Sequence, residues 1–177
     1  MTDVDISKCK ITHYPANVIR GKAKPIDEIN DNTRQLVEKM IDIMLENRGM
    51  GLAGPQAGVD LQIFIVAMGG TRENVRTYIN PTVTPTGSLE SAEEGCLSVP
   101  TVYANIKRYT HCTVTATDLD GRNFTEEADG LYARCLQHEY DHLQGMTIAD
   151  KMGAAAKIVN RRKLKTLIEN NPDSPKD

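Results

Sequence analysis

The spacing of apolar positions divides the chain into an irregular start, one amphipathic helix, a run of strand-like segments and two closing helices. Residues 1–30 hold no sustained period, and the Tyr14-Pro15 and Lys24-Pro25 steps break any helix there. Leu36, Val37, Met40, Ile43 and Met44 then recur at helical spacing, behind Asp31 or Asn32 as a cap and ahead of the stop signal Asn47-Arg48-Gly49. The glycine-rich segment 49–58 reads as a loop. Segments 61–68 and 75–79 read as buried strands, the second stopped by Asn80-Pro81, and Val83 continues a broken strand region before Gly87. Segments 111–118 and 123–128 form a hairpin around Asp120-Gly121. Residues 130–143 and about 154–168 are helical, the first carrying Leu131, Cys135, Leu136, Glu139 and His142 toward one side and closed by Gly145, the second carrying Ile158, Leu164 and Ile168. The polar tail, 170–177, with its two prolines, is expected to be disordered. Strands followed by helices predict an α+β fold rather than a parallel α/β sheet.

Composition narrows the reading. A chain of 177 residues fits one domain with one sizeable core, and with two Phe, six Tyr and no Trp that core must be aliphatic. A formal net charge of -3 gives no reason to expect DNA or an anionic membrane as the main partner. No apolar run approaches the roughly 20 residues that cross a bilayer. The start, MTDVDISKCK, lacks the apolar stretch of a secretory signal and the Arg-rich, acid-poor character of a transit peptide, which points to the cytoplasm. Four cysteines without framework spacing suggest free or metal-bound thiols.

The chemistry concentrates in His138-Glu139-x-x-His142. Two histidines at i and i+4 lie on one helix face and can hold one metal, and the adjacent Glu139 can act as general base toward a water at that metal. The bland alternative is a surface helix with two solvated histidines. A catalytic site also needs a third protein ligand. One metalloprotease class places a histidine where Ile148 stands, and another uses a later glutamate, for which only Glu169 at the end of the last helix is available. Upstream, Cys96 offers a thiolate that would complete a Cys-His-His set; its other reading is a small buried hydrophobe, the common fate of free cysteine and the one expected for Cys9, Cys112 and Cys135. His13 and His111 read as structural or exposed.

Three segments together resemble the peptide deformylase family: Gly49-x-Gly51-Leu52-Ala53-Gly54-Pro55-Gln56, Glu94-Gly95-Cys96-Leu97-Ser98, and Gln137-His138-Glu139-x-Asp141-His142. Weaker similarity runs from Ile11 to about Asp150. Gly54 stands where the family more often has Ala, and Thr101 where it often has Gly. The resemblance implies antiparallel or mixed sheets packed around a central metal-binding helix, with residues 1–150 as the catalytic domain and 151–169 as a C-terminal helix. It implies removal of the formyl group from N-formylmethionyl nascent peptides, with release of formate. Cys96, His138 and His142 would be metal ligands, the metal typically Fe(II), with Zn, Ni or Co able to occupy the site. Glu139 would be the base, and the Gln56 amide and the Leu97 backbone N–H would hold the oxyanion. The peptide would add as a strand beside Gly51, and Met50, Leu131 and Cys135 would line the methionine pocket, with Glu94 near its rim. The basic residues Lys157, Arg161, Arg162, Lys163 and Lys165 would either form a solvated face or contact the ribosome.

Overall fold

A computed structural model describes residues 3–171. Its organisation follows from one strand, β2 (Ile63–Ala67), in which all five residues are buried. Side chains alternate across a strand, so Ile63, Ile65 and Ala67 face one way and Phe64 and Val66 the other. The first set joins Leu36, Val37, Met40, Ile43 and Met44 of helix α2 (Asp31–Glu46) in one apolar cluster. The second joins Ala133, Leu136 and Leu143 of helix α3 (Gly130–Leu143), together with Tyr78, Val83 and Val114. The sheet is thus covered by α2 on one face and α3 on the other. Full burial of each large aliphatic side chain is worth roughly 1.5–3 kcal/mol, so β2 ties both layers together.

Around β2 the sheet is a meander. β1 (Gly51–Ala53), β2, β3 (Val75–Gly95), β4 (Tyr103–Thr117) and β5 (Asn123–Asp129) lie in that order, each antiparallel to the next. A parallel contact occurs only as the isolated bridge Lys24↔Leu61 among the described residues. The α+β expectation holds, and the sheet is antiparallel rather than mixed.

Several sequence expectations are corrected. The segment 49–58 is not all loop: Gly51–Ala53 pairs with β2 as an edge strand, and Gly54–Ala57 forms a 3-10 turn. The strand from Val75 does not stop at Asn80-Pro81. It runs on to Gly95 through register shifts at Ile79/Thr82 and Thr86/Leu89. The first shift absorbs the proline, with Asn80 at φ 49 and its side-chain amide exchanging hydrogen bonds of 2.8 and 2.7 Å with the backbone of Ile26. β4 begins at Tyr103 rather than His111. Residues 86–91 are exposed throughout, so this stretch of the hairpin is held by backbone pairing and carries no apolar alternation to read.

A four-residue helix, α1 (Asn17–Arg20), lies in the stretch read as irregular. α2 is capped by Asn30 rather than Asp31 or Asn32, since the Asn30 side chain accepts the Thr33 N–H at 3.0 Å in a capping box. At its far end Arg48, at φ 55, takes the left-handed position expected of Gly49. Two closing helices follow α3, α4 (Ile148–Lys151) and α5 (Ala154–Glu169). On α5 the packed face is Ala156, Leu164 and Leu167, against Val99, Val102, Ala104 and Ile106; Ile158 and Ile168, read with Leu164 as the apolar positions of this helix, are exposed. Beyond Asn171 the polar tail lies outside the described residues. Among the described residues no helix is long and apolar enough to cross a membrane.

Candidate metal centre

α3 supplies two imidazoles one turn apart. The Nε2 atoms of His138 and His142 are 3.3 Å from each other, and the His142 Nε2 is 3.3 Å from the Cys96 Sγ. Cys96 comes from a different element, immediately after the last residue of β3. One ligand atom from each of Cys96, His138 and His142 lies within 4.8 Å of the others, the spacing of a set that converges on one ion. A thiolate with two imidazoles suits a divalent transition metal rather than magnesium or calcium.

The surroundings hold these groups in place. The His138 Nδ1 is 2.9 Å from the Glu94 Oε2, which fixes the ring so that Nε2 faces the site. Glu94 is itself gripped by Arg108, whose Nε and Nη2 donate to its two oxygens at 2.6 and 2.9 Å, and by the Arg134 Nη1 at 2.7 Å. The Arg108 Nη1 also donates to Asp141 at 2.8 Å, and Lys151 pairs with the second oxygen of Asp141 at 2.9 Å. Burial works against the Glu94 charge, yet hydrogen bonds from His138 and Arg108 outweigh it and hold the carboxyl well below the usual carboxylate range. Glu94 lines the cleft as expected, but it is 8% exposed and its oxygens are taken up by His138, Arg108 and Arg134. Those contacts orient the His138 ring.

Glu139 has a different environment. Its carboxylate is buried, and its Oε2 has no hydrogen-bond partner among the described residues. Burial pushes its carboxyl up to about 7, against the lowering influence of His138 and Arg108. An uncommitted carboxylate beside the two imidazoles is suited to exchanging a proton near neutral pH. Burial, reinforced by the nearby charges of His138 and Arg108, keeps His142 neutral, the form that can donate a lone pair to a metal. For His138, burial is outweighed by hydrogen bonds to Cys96 and Glu94, which raise it.

The Gln56 side chain is tied back to its own turn. Its Oε1 accepts the Ala53 N–H at 2.8 Å, as a turn residue bonded to its own backbone would, and this aims its Nε2 at the Cys96 Sγ, 3.5 Å away. The Leu97 N–H donates to no group among the described residues. Gly51 and Ala53 face α3, and at Gly51 a Cβ would lie 2.8 Å from the Cδ of Glu139 and 2.9 Å from its Cγ. The outer edge of β1 pairs with no other strand among the described residues.

A cleft of about 720 Å³ gathers these groups. Glu139, Gln56, Leu97, Cys96, His138, Met50, Gly51, Glu94, Leu131 and Cys135 all line it, while His142 sits behind, 1% exposed. Sequence reasoning passed over Arg108 and Arg134. Arg134 had a usable signal, since it falls at i+3 from Leu131 and i−4 from His138 on the cleft face of α3. Arg108 had none: it follows Lys107 ahead of the segment read as a strand, where an arginine reads as surface. His13, read as structural or exposed, also lines the cleft.

Comparison with known proteins agrees with this geometry. The model of the family described as polypeptide deformylase matches residues 8–157. The chain is 40% identical to a peptide deformylase of Chromohalobacter salexigens over 82% of its length and 86% of that protein. It is 42% identical to peptide deformylase 1 of Clostridium perfringens over 75% of its length and 90% of that protein. Among solved structures, the peptide deformylase of Plasmodium falciparum superposes with a TM-score of 0.89 at 31% identity, covering 95% of this chain and 100% of that one. A peptide deformylase from Legionella pneumophila gives 0.84 at 35% identity, covering 93% and 99%.

Proposed function

The chain belongs to the polypeptide deformylase family, hydrolases that remove the N-formyl group from nascent polypeptides, and on that footing we propose that Cys96, His138 and His142 hold its metal and that Glu139 moves the proton. The observation that carries this assignment is the convergence of the three ligand atoms within 4.8 Å, next to a buried carboxylate with an unpartnered oxygen. When bound, the metal supplies a Lewis acid and lowers the pKa of a neighbouring water toward neutrality.

The residues divide the remaining work. Glu139 accepts a proton from the attacking water and returns it to the amide nitrogen as the C–N bond breaks, so formate and a free amine leave. The Gln56 Nε2 and the Leu97 N–H donate to the oxygen that gains charge as the formyl carbon becomes tetrahedral. The open edge of β1 accepts the peptide by main-chain hydrogen bonds, which suits an enzyme that must act on many sequences. Met50, Leu131 and Cys135 form the apolar wall for the methionine side chain. Glu94, Arg108 and Arg134 keep His138 in register.

The metal in this reading is Fe(II), with Zn, Ni or Co as alternative occupants, and the enzyme works in the cytoplasm. Lys157, Arg161 and Arg162 on α5 form a basic surface for ribosomal RNA near emerging chains; Lys163 and Lys165 are partly engaged, with the Thr101 carbonyl and with Glu169. The central test is formate release from formyl-Met-Ala by anaerobically prepared protein, with metal measured on the same sample. Activity that tracks one divalent metal per chain supports the reading. Full activity in chelated, metal-free protein, or cleavage of an internal peptide bond in its place, refutes it. Salt-sensitive cosedimentation with ribosomes, lost on removing residues 151–177, tests the basic surface separately.

A further inference from the structure

Two residues of the proposed methionine pocket, Leu131 and Cys135, belong to α3, and they are not held alike. Cys135 is buried, and Arg134 beside it donates to the Glu94 carboxylate and to the carbonyls of Ile106 and Glu90. Leu131 lies one turn earlier and is 54% exposed, so its place is set by the helix backbone rather than by its own packing. That backbone begins at a bare corner. Asp129 ends β5, Gly130 starts α3 at a left-handed φ of 52, and Asp129 gives the helix no side-chain cap.

A polar cluster on the sheet side of α3 closes the corner. The Tyr132 hydroxyl donates to the Glu126 Oε1 at 2.8 Å, from helix back to strand across the turn. The Tyr78 hydroxyl, from β3, donates to the same oxygen and touches the Tyr132 hydroxyl. Tyr78 is fully buried, its ring stacked on Phe64 with centroids 4.7 Å apart and tilted against Phe124 at 5.6 Å, so the anchor is rigid. The Arg76 Nη1 holds the Glu126 Oε2 at 2.7 Å, which leaves Oε1 to the two hydroxyls. Burial pushes both tyrosines up, Tyr132 to about 12, so both stay protonated and able to donate near neutral pH. Neither Tyr78, Glu126 nor Tyr132 lines the cleft, and the proposed chemistry uses none of them.

We infer that Tyr132 is a positioning residue for methionine selection: tied to Glu126 and Tyr78, it fixes the corner between β5 and α3 and so sets how far Leu131 stands from Met50 in the cleft. The inference rests on the methionine reading of that pocket. An apolar pocket with fixed walls separates side chains that differ by one methylene by about ten- to two-hundredfold. A wall that can move yields to a branched side chain as readily as to an unbranched thioether, and the separation shrinks. Met50 and Cys135 have other supports, whereas Leu131 depends on the first turn of α3, and Tyr132 is the side chain that ties that turn to the sheet. Glu139 lies further along the helix and is buried, so loosening the corner acts on KM and leaves the proton transfer alone.

The test compares formyl-Met-Ala-Ser with formyl-Leu-Ala-Ser on the metal-loaded full-length chain. The parent should prefer the methionine peptide by about tenfold or more in kcat/KM. Tyr132→Phe keeps the ring and removes only the hydroxyl. It should lower that preference by about three- to tenfold, through KM, with kcat on the methionine peptide and metal per chain unchanged. Glu126→Gln retains an acceptor oxygen and should keep the preference. Glu126→Ala should lower it as Tyr132→Phe does, and the two together should lower it no further. A Tyr132→Phe enzyme with the parental preference overturns the inference, as does one that loses both peptides equally or loses kcat in place of KM. A parent that uses both peptides equally removes the methionine pocket and this inference with it, while leaving the deformylase reading in place. Formate release from neither peptide overturns that reading as well.

Discussion

Gly51→Ala should cripple turnover while leaving the metal in place. The backbone at Gly51 has ordinary strand geometry, so alanine meets no conformational penalty there. What it meets is Glu139. The added Cβ would lie 2.8 Å from the Cδ of Glu139, against about 3.4 Å for an ordinary carbon contact, so the carboxylate must retreat by about 0.6 Å or more. A misplacement of that order at a proton-transfer group costs about a hundredfold in rate, equivalent to about 2.7 kcal/mol in the barrier. The new methyl points at α3 and not along the open edge of β1, so the main-chain groups that would bind peptide are untouched and the loss should fall on kcat rather than KM. The assay is steady-state formate release with metal content measured on the same preparation. The double substitution with Glu139→Gln supplies the internal check: if both changes act through one carboxylate, the double variant should be no worse than Glu139→Gln alone. A Gly51→Ala enzyme with full metal and kcat within threefold of the parent would refute the steric argument, and so would losses that simply add.

Other substitutions test the remaining parts of the site. Gln56→Leu removes a donor aimed at the reacting oxygen and should lower kcat by about a hundredfold or more; it also orphans the Ala53 N–H, so a melting curve should show a loss of about 1–3 kcal/mol, and unchanged kcat would show that Gln56 is only a turn residue. Arg108→Met removes two of the donors to Glu94 and one to Asp141, leaving Arg134 and His138 on the first and Lys151 on the second, and should cost about 3 kcal/mol in urea unfolding. Because Glu94 is then held less firmly against His138, metal affinity measured by chelator competition should fall about ten- to a hundredfold, and a variant as stable and metal-tight as the parent would contradict the network. Thr101→Gly should be neutral to mildly stabilising: relief of about 1–2 kcal/mol of left-handed strain is offset by up to about 1 kcal/mol of glycine entropy, and a clear fall in melting temperature would refute that balance.

How far the residues themselves disclosed this site depends on whether the relevant order is local. α3 was legible to the residue because its period and its stop at Gly145 lie within one stretch, and the His138–His142 pair inherits its geometry directly from the helical repeat. β2 was legible for a similar reason, since a run of five apolar residues buried on both faces has few alternatives. The long β3–β4 hairpin was not: residues 86–91 of β3 are exposed and leave no apolar alternation, and in β4 the alternating buried positions before His111 are Ala104, Ile106 and the charged Arg108, too weak a pattern to read as a strand. β1 was hidden by its composition: glycine-rich and three residues long, it is a strand only because β2 lies beside it. The same logic governs two departures from the family pattern. At Gly54 a Cβ would lie 2.7 Å from the Leu61 carbonyl oxygen, so the close return of that segment requires glycine. At Thr101 the chain keeps the left-handed turn that glycine would take freely and secures it with Lys163.

The least legible part of the site is the one that gives it rigidity. Arg108 comes from the middle of β4, Glu94 from the end of β3, Asp141 and His138 from α3 and Lys151 from α4, with no spacing rule that links them. Each alone is an ordinary charged residue. Together they form an alternating series of charges, buried except at Lys151, that begins at His138 and ends near the start of the C-terminal helix. A buried arginine between two carboxylates contributes little net stability compared with apolar packing, but it penalises any arrangement that separates the three. That penalty is useful here. The two histidines are fixed to each other by one helix, whereas Cys96 reaches them from a strand end, and only a rigid connection between β3, β4 and α3 keeps thiol and imidazoles converging. The arginine network supplies that connection, so the geometry of the candidate metal centre depends as much on Arg108 as on Cys96, His138 and His142, the three side chains proposed to hold the ion.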